Sequence, residues 1–218
     1  MSAGPALALS GSNPTGDAPF SACLRIGDQL HAARSRVGER GDLARLAADL
    51  LATHGIAPAQ LGELLVDLGP GSYTGLRVAV TFVRFLQHFG AVSVRACDTL
   101  ALLATAAPTS DRRLRPLLDA RRDLWHCGTL IERAGRLEHA EEPRALPLTT
   151  VLASAREGDT FVVAPGLADD VMARLAASAM VHVANGITAE TLFSQRLSLA
   201  EHGPHELEPR YLMSSYAG

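Results

Sequence analysis

Leu68-Gly69-Pro70-Gly71-Ser72-Tyr73-Thr74-Gly75-Leu76-Arg77 follows the apolar run Leu64-Leu65-Val66 and leads into an apolar, helically spaced stretch ending at Phe89. The order is strand, tight turn, helix. Three glycines within seven residues permit positive φ or close backbone approach, and Pro70 fixes its own φ. Ser72 or Thr74 can accept the first free helix amides. Two readings of such a turn stay open. Converging amides and the positive end of the helix dipole can hold a phosphate; equally, a glycine-rich strand-to-helix turn can simply make room for packing. A Walker loop is excluded, because it needs Lys-Ser/Thr after its last glycine and all twenty of the Lys+Arg residues are Arg.

Downstream, at about 100° per residue, Arg77, Thr81, Arg84 and His88 fall in one narrow polar stripe. Val78, Ala79, Phe82, Val83, Phe85, Leu86 and Phe89 fill an arc of roughly 160°. That is wider than packing on one sheet requires. Either residues 42–54 cover the whole arc from within the chain, or part of it meets a partner.

Upstream, residues 6–9 and 20–26 read as strands around the turn Ser12-Asn13-Pro14-Thr15-Gly16-Asp17, and 30–34 as a third. From Asp42 the spacing becomes helical, with Leu43, Leu46, Ala47, Leu50 and Leu51 on one face, until Gly55. Residues 92–94 read as a strand and 98–107 as a helix; 108–113 is the linker candidate. A second meander, 115–119, 124–132 and 136–139, precedes a helix at 149–155, a strand at 160–164, a helix at 167–177, a strand at 180–183 and a helix at 189–200. A meander giving way to α/β crossovers, twice, predicts an α/β fold of two similar subdomains.

Hydrophobic residues at 47% and a mean hydropathy of +0.12 mark a folded chain of 218 residues. A net charge of −3 supplies no field that would hold a polyanion unaided. The run Ala6-Leu7-Ala8-Leu9 is too short for a signal core or a membrane span, so a cytoplasmic location away from membranes is expected. Cys23, Cys97 and Cys127 are odd in number and widely spaced, which suits neither a disulfide framework nor a zinc site. His202 and His205 flank Gly203-Pro204 and are not aimed at one ion, and His-Glu-x-x-His is absent. Asp119 and Arg121, two apart on extended chain, would share a face as an ion pair, and Asp119 and Asp123 would lie about 13 Å apart. No catalytic constellation, metal site or cofactor site is expected.

Gly-Pro-Gly-Ser-Tyr-Thr-Gly-Leu-Arg at 69–77, with Asp98-Thr99-Leu100-Ala101-Leu102-Leu103-Ala104, Leu118-Asp119-Ala120-Arg121-Arg122 and Pro209-Arg210-Tyr211-Leu212 in the same order, closely resembles the TsaB/YeaZ family. The family's glutamate and tyrosine after its D-A-R motif are here Asp123 and Trp125. The resemblance implies the duplicated RNase H-like fold of the actin and Hsp70 ATPase superfamily, with subdomains at 1–107 and 114–218. It implies a non-catalytic scaffold in making threonylcarbamoyladenosine at tRNA position 37, bound to the catalytic TsaD-like subunit and joined by a TsaE-like ATPase. Homodimerisation is possible, and tRNA is met only through the complex. The implied partner interface is the two N-terminal helices, at Leu46, Leu50, Val78, Phe82, Phe85 and Phe89, beside the glycine-rich turn of Gly69, Gly71, Ser72, Thr74, Gly75 and Arg77. Where ATP-using members of the superfamily carry an aspartate after the first strand, this chain has Ser10 and Gly11, with Asp17 six residues beyond the strand. Two other readings are a homodimeric structural protein and a small-molecule kinase of the same superfamily.

Overall fold

In the computed structural model, residues 4–13, 19–36, 42–90, 92–108, 112–203 and 205–212 are described. In chain order the elements are β1 (Ala6–Ser10), β2 (Ser21–Ile26), β3 (Gln29–Arg34), α1 (Leu43–Thr53), β4 (Glu63–Asp67), α2 (Tyr73–Phe89), β5 (Ser93–Cys97) and α3 (Thr99–Ala104). They continue as β6 (Leu114–Asp119), β7 (Leu124–Arg133), β8 (Arg136–Pro147), α4 (Leu148–Ala153), β9 (Thr160–Val163), α5 (Asp169–Ser178), β10 (Met180–Val183) and β11 (Ala200–Glu201). Short 3-10 turns lie at Pro58–Gln60 and Ala189–Phe193.

The chain divides into two compact units. One holds Met1–Asp98, Thr188–Ser194 and Leu199–Arg210; the other holds Thr99–Ile187, Gln195–Ser198 and Tyr211–Gly218. The first unit's sheet runs β11-β5-β4-β1-β2-β3 and the second's β10-β9-β6-β7-β8. In each, three antiparallel strands form a meander whose first strand also pairs in parallel with the strand after the next helix, and that strand with the one after it. Apart from β11, the antiparallel edge strand that only the first sheet has, the two sheets share one topology, an actin/Hsp70-like α/β arrangement present twice.

Burial explains the central strands. Every residue of β1 is buried and so are Leu64–Asp67 of β4, as strands covered on both faces must be. Asp42 caps α1 by accepting the Arg45 amide at 3.1 Å, and Leu43, Ala47, Leu50 and Leu51 turn its apolar face onto the sheet. In the second unit Leu117, Trp125, Cys127, Phe161 and Val163 of the sheet pack against Leu148, Val151 and Leu175 of α4 and α5.

Three local expectations are corrected. The helix expected over 189–200 is only the turn Ala189–Phe193. Leu192 is buried in the first unit and Leu197 in the second, so the chain must pass between cores rather than continue helically. The strand expected to stop at 139 continues to Pro147 through an irregularity: between the pairs Cys127↔Arg144 and Thr129↔Glu141, β7 spends one residue and β8 two. Pro143, which has no amide to donate, sits in that bulge. Finally, Arg121 is not in a strand. Arg121, Arg122 and Asp123 all take positive φ (65°, 52° and 61°) and turn β6 into β7. Asp119 accepts the Arg121 backbone amide at 2.7 Å instead of its guanidinium. The extended spacing expected for Asp119 and Asp123 is replaced by a hairpin turn.

Candidate functional site

The carboxyl ends of β1 and β4 meet the amino end of α2, the place where open α/β sheets bind ligands. Ser10 closes β1. Ser10, Ser12 and Asp67 are buried together: Ser12 Oγ donates to Asp67 Oδ2, and the hydroxyls of Ser10 and Ser12 lie 3.5 Å apart. Sequence reading passed over Ser12 and Asp67. The available signal was an acidic residue ending an otherwise apolar strand, immediately before the glycines.

The glycine-rich turn is packed backbone to backbone. A Cβ on Gly71 would strike the Ser12 carbonyl, and one on Gly75 the Gly11 carbonyl. Gly69 takes φ +103°, and a side chain there would meet Leu76 Cδ1 at 2.7 Å and the Arg210 carbonyl at 2.8 Å. Three amides of the turn are used internally: Ser72 donates to the Ser12 carbonyl (3.0 Å), Gly75 to Ser72 Oγ (3.3 Å) and Leu76 to the Ser72 carbonyl (2.9 Å). Those groups cannot also serve a phosphate. Thr74 is exposed, and the exposed Arg77 folds back on Tyr73, donating to its hydroxyl at 2.6 Å. Arg210 reaches the turn from the C-terminal segment, its amide donating to the Leu68 carbonyl at 2.7 Å.

Along α2 two apolar faces separate. Leu76, Ala79, Val80 and Val83 are buried; sequence reading left Val80 out of the apolar arc. Val78, Phe82, Phe85 and Phe89, spaced i, i+4, i+7, i+11, form a second stripe. Phe82 is half-buried against the first unit's core, but Val78 is 37%, Phe85 57% and Phe89 74% exposed. The Phe85 and Phe89 rings are 4.8 Å apart, with His88 edge-on to Phe89. On α1, Leu50 is buried and Leu46 half-buried in that same core. Arg77, Thr81, Arg84 and His88 form the exposed polar stripe.

The three cysteines are free and buried. Burial pushes the Cys23 thiol up to about 12 and raises Cys97 and Cys127, so none is a ready nucleophile. Among the described residues no group of three or more His, Cys, Asp or Glu is placed to hold a metal ion; Asp17 lies outside them. His202 gives its backbone to the fold, its amide donating to the Val94 carbonyl and its carbonyl accepting from Gln87 Nε2. No helix among the described residues is long and apolar enough to cross a membrane.

The family described as TsaD, tRNA N6-adenosine threonylcarbamoyltransferase, matches residues 40–152, just over half of the chain. The tRNA threonylcarbamoyladenosine biosynthesis protein TsaB of Bacillus subtilis (strain 168) is 32% identical over 108 residues, 50% of this chain and 47% of that protein. The match therefore spans about half the length of that relative. YeaZ from Pseudomonas aeruginosa superposes with a TM-score of 0.74 at 22% identity, covering 96% of this chain and all of that one. A second solved structure, an uncharacterized protein described as similar to the peptidase YEAZ from Pseudomonas aeruginosa, gives 0.71 at 21% over the same share. Matched in sequence through the glycine-rich turn and in fold over nearly its whole length, the chain belongs to the TsaB/YeaZ family, within the broader TsaD family.

Proposed function

We propose that this chain is a non-catalytic subunit in the synthesis of threonylcarbamoyladenosine at tRNA position 37, docking through α2 onto a TsaD-like threonylcarbamoyltransferase that a TsaE-like ATPase joins. The observation that carries the reading is the second apolar stripe of α2, with Phe85 and Phe89 more than half exposed beside a fully satisfied inner face. Two exposed phenylalanines in contact cost solvation that a partner surface would recover. Ser10, where the superfamily's metal-holding aspartate would stand, supports the non-catalytic part. Within the interface, Val78, Phe82, Phe85 and Phe89 supply the contact, while Leu46 and Leu50 set the position of α1 from inside the core.

Size-exclusion chromatography with light scattering tests this, using the chain alone and mixed with the TsaD-like protein of the same genome. A heterodimer is expected, and Phe85→Glu and Phe89→Glu should each abolish it while leaving the far-UV spectrum and unfolding midpoint unchanged, since neither ring is in the core. A self-dimer that persists in the mixture would favour the homodimeric reading, in which a second copy covers the stripe. Unchanged affinity in both variants would move the interface elsewhere.

A further inference from the structure

The second unit contains a pocket of about 550 Å³ lined from β6, β7, β8 and α4, within the size range of small-molecule sites. Its inner wall carries Arg115, only 5% exposed. The guanidinium lies over the Phe161 ring and donates from Nη1 to Asp159 (3.3 Å) and from Nη2 to Ser154 Oγ (2.7 Å). Those bonds fix its orientation and use two of its five N–H donors. Each Nη keeps one more, and Thr150 and Thr129 line the same cavity. The opposite rim is the bulged part of β8, which carries Glu142 and Arg144. Glu141 is tied to Arg113 at 3.3 Å, whereas among the described residues neither Glu142 nor Arg144 has an ion-pair partner.

Two consequences follow. The lining charges, Arg115 and Arg144 against Glu141 and Glu142, cancel, so the cavity favours neither anions nor cations. Yet it offers a buried donor on β6 and a free carboxylate on β8, with β7 between them. Two strand spacings put these backbones about 10 Å apart, room for a small molecule with a hydrogen bond at each end. We propose that this pocket binds a small zwitterion of the amino-acid class, its carboxylate held by Arg115 and Thr150 and its ammonium by Glu142. Cys127 forms part of the lining and takes no chemical part.

Isothermal titration of the full chain with L-alanine, L-serine and L-glutamine tests the proposal independently of any role in tRNA modification. Saturable binding with Kd below about 1 mM is expected for at least one of them, and none for acetate or methylammonium at equal concentration. Glu142→Gln, an exposed change that leaves the unfolding midpoint in place, should weaken binding at least tenfold, and Thr150→Val should weaken it as well. The proposal is overturned if none of the three amino acids saturates by about 10 mM. Acetate binding as tightly as the zwitterions, or a Glu142→Gln variant of unchanged affinity, would overturn it equally.

Discussion

His126 on β7 is 4% exposed, and its pKa is lowered to about 4 from 6.5, burial outweighing the opposing charge of Asp119. The folded state thus binds fewer protons than the unfolded chain between those values, so stability falls as the pH drops from about 6.5 towards 4. The gap corresponds to about 3 kcal/mol. Urea unfolding at pH 7 and pH 4.5 should show most of that loss, and His126→Leu should lose distinctly less; equal losses would mean that other groups govern the acid limb. At the glycines, sterics decide. Gly75→Ala places a methyl group on the Gly11 carbonyl oxygen and should cost about 2 kcal/mol. Gly62→Ala, whose Cβ would meet its nearest atoms at an ordinary 3.5 Å, should stay within about 0.5 kcal/mol. If the two variants unfolded at the same urea concentration, close backbone approach would not be why Gly75 is there.

Between the scales of residue and molecule, the elements differ in how they are held. The segment after Ser198 owes little to local propensity: β11 is two residues long, pairs with β5, and is followed by Leu207, wholly buried in the first unit's core. Leu207→Ala should therefore cost about 2–4 kcal/mol although it lies in irregular chain near the C-terminus. A loss under about 0.5 kcal/mol, the scale of a surface change, would show that the segment is merely laid on the surface. The same contrast explains what the sequence reveals. The α2 and β4 elements are legible because glycine turn, cap and periodicity agree locally. Most of the apolar arc of α2 was also legible, though without Val80, but not its division: an apolar arc does not say which edge meets the sheet, and only the structure puts Val80 inside and Phe85 outside. Ala189–Phe193 looked like the start of a longer helix because Leu192 and Leu197 are apolar, and tertiary demand overrode that propensity. The hairpin at Arg121–Asp123 was illegible for another reason. Three consecutive non-glycine residues at positive φ are conformations that no sequence signal announces. The pocket on β8 escaped notice likewise, because its bulge comes from strand pairing and not from spacing along the chain.

Across the whole molecule the same five-strand order occurs twice, but the two copies differ at the ends of their first strands: Ser10-Gly11-Ser12 in one, Asp119 and an arginine turn in the other. Electrostatics at this scale bear on how the chain meets nucleic acid. Twenty arginines against twenty-three acidic residues give a net charge of −3, and part of the arginine complement is already committed within the fold. Arg25 and Arg95 share Glu63, Arg34 holds Glu190, and Arg196 joins Glu132 to the carbonyls of Thr105 and Ala107. An arginine whose charge is already balanced by a neighbouring carboxylate adds less net positive potential towards a phosphate than a free one does. Counterion release grows with the number of phosphates neutralised, so a chain whose acidic residues outnumber its arginines gains little affinity from it. The chain alone is accordingly expected to leave labelled tRNA unshifted in a gel at physiological salt up to about 100 µM protein, near the weak limit of non-specific binding. In the presence of the TsaD-like protein the tRNA should shift, and the Phe85→Glu variant should remove this chain from the shifted species. A sub-micromolar complex of tRNA with the isolated chain would contradict this and place an RNA-binding surface on this subunit itself.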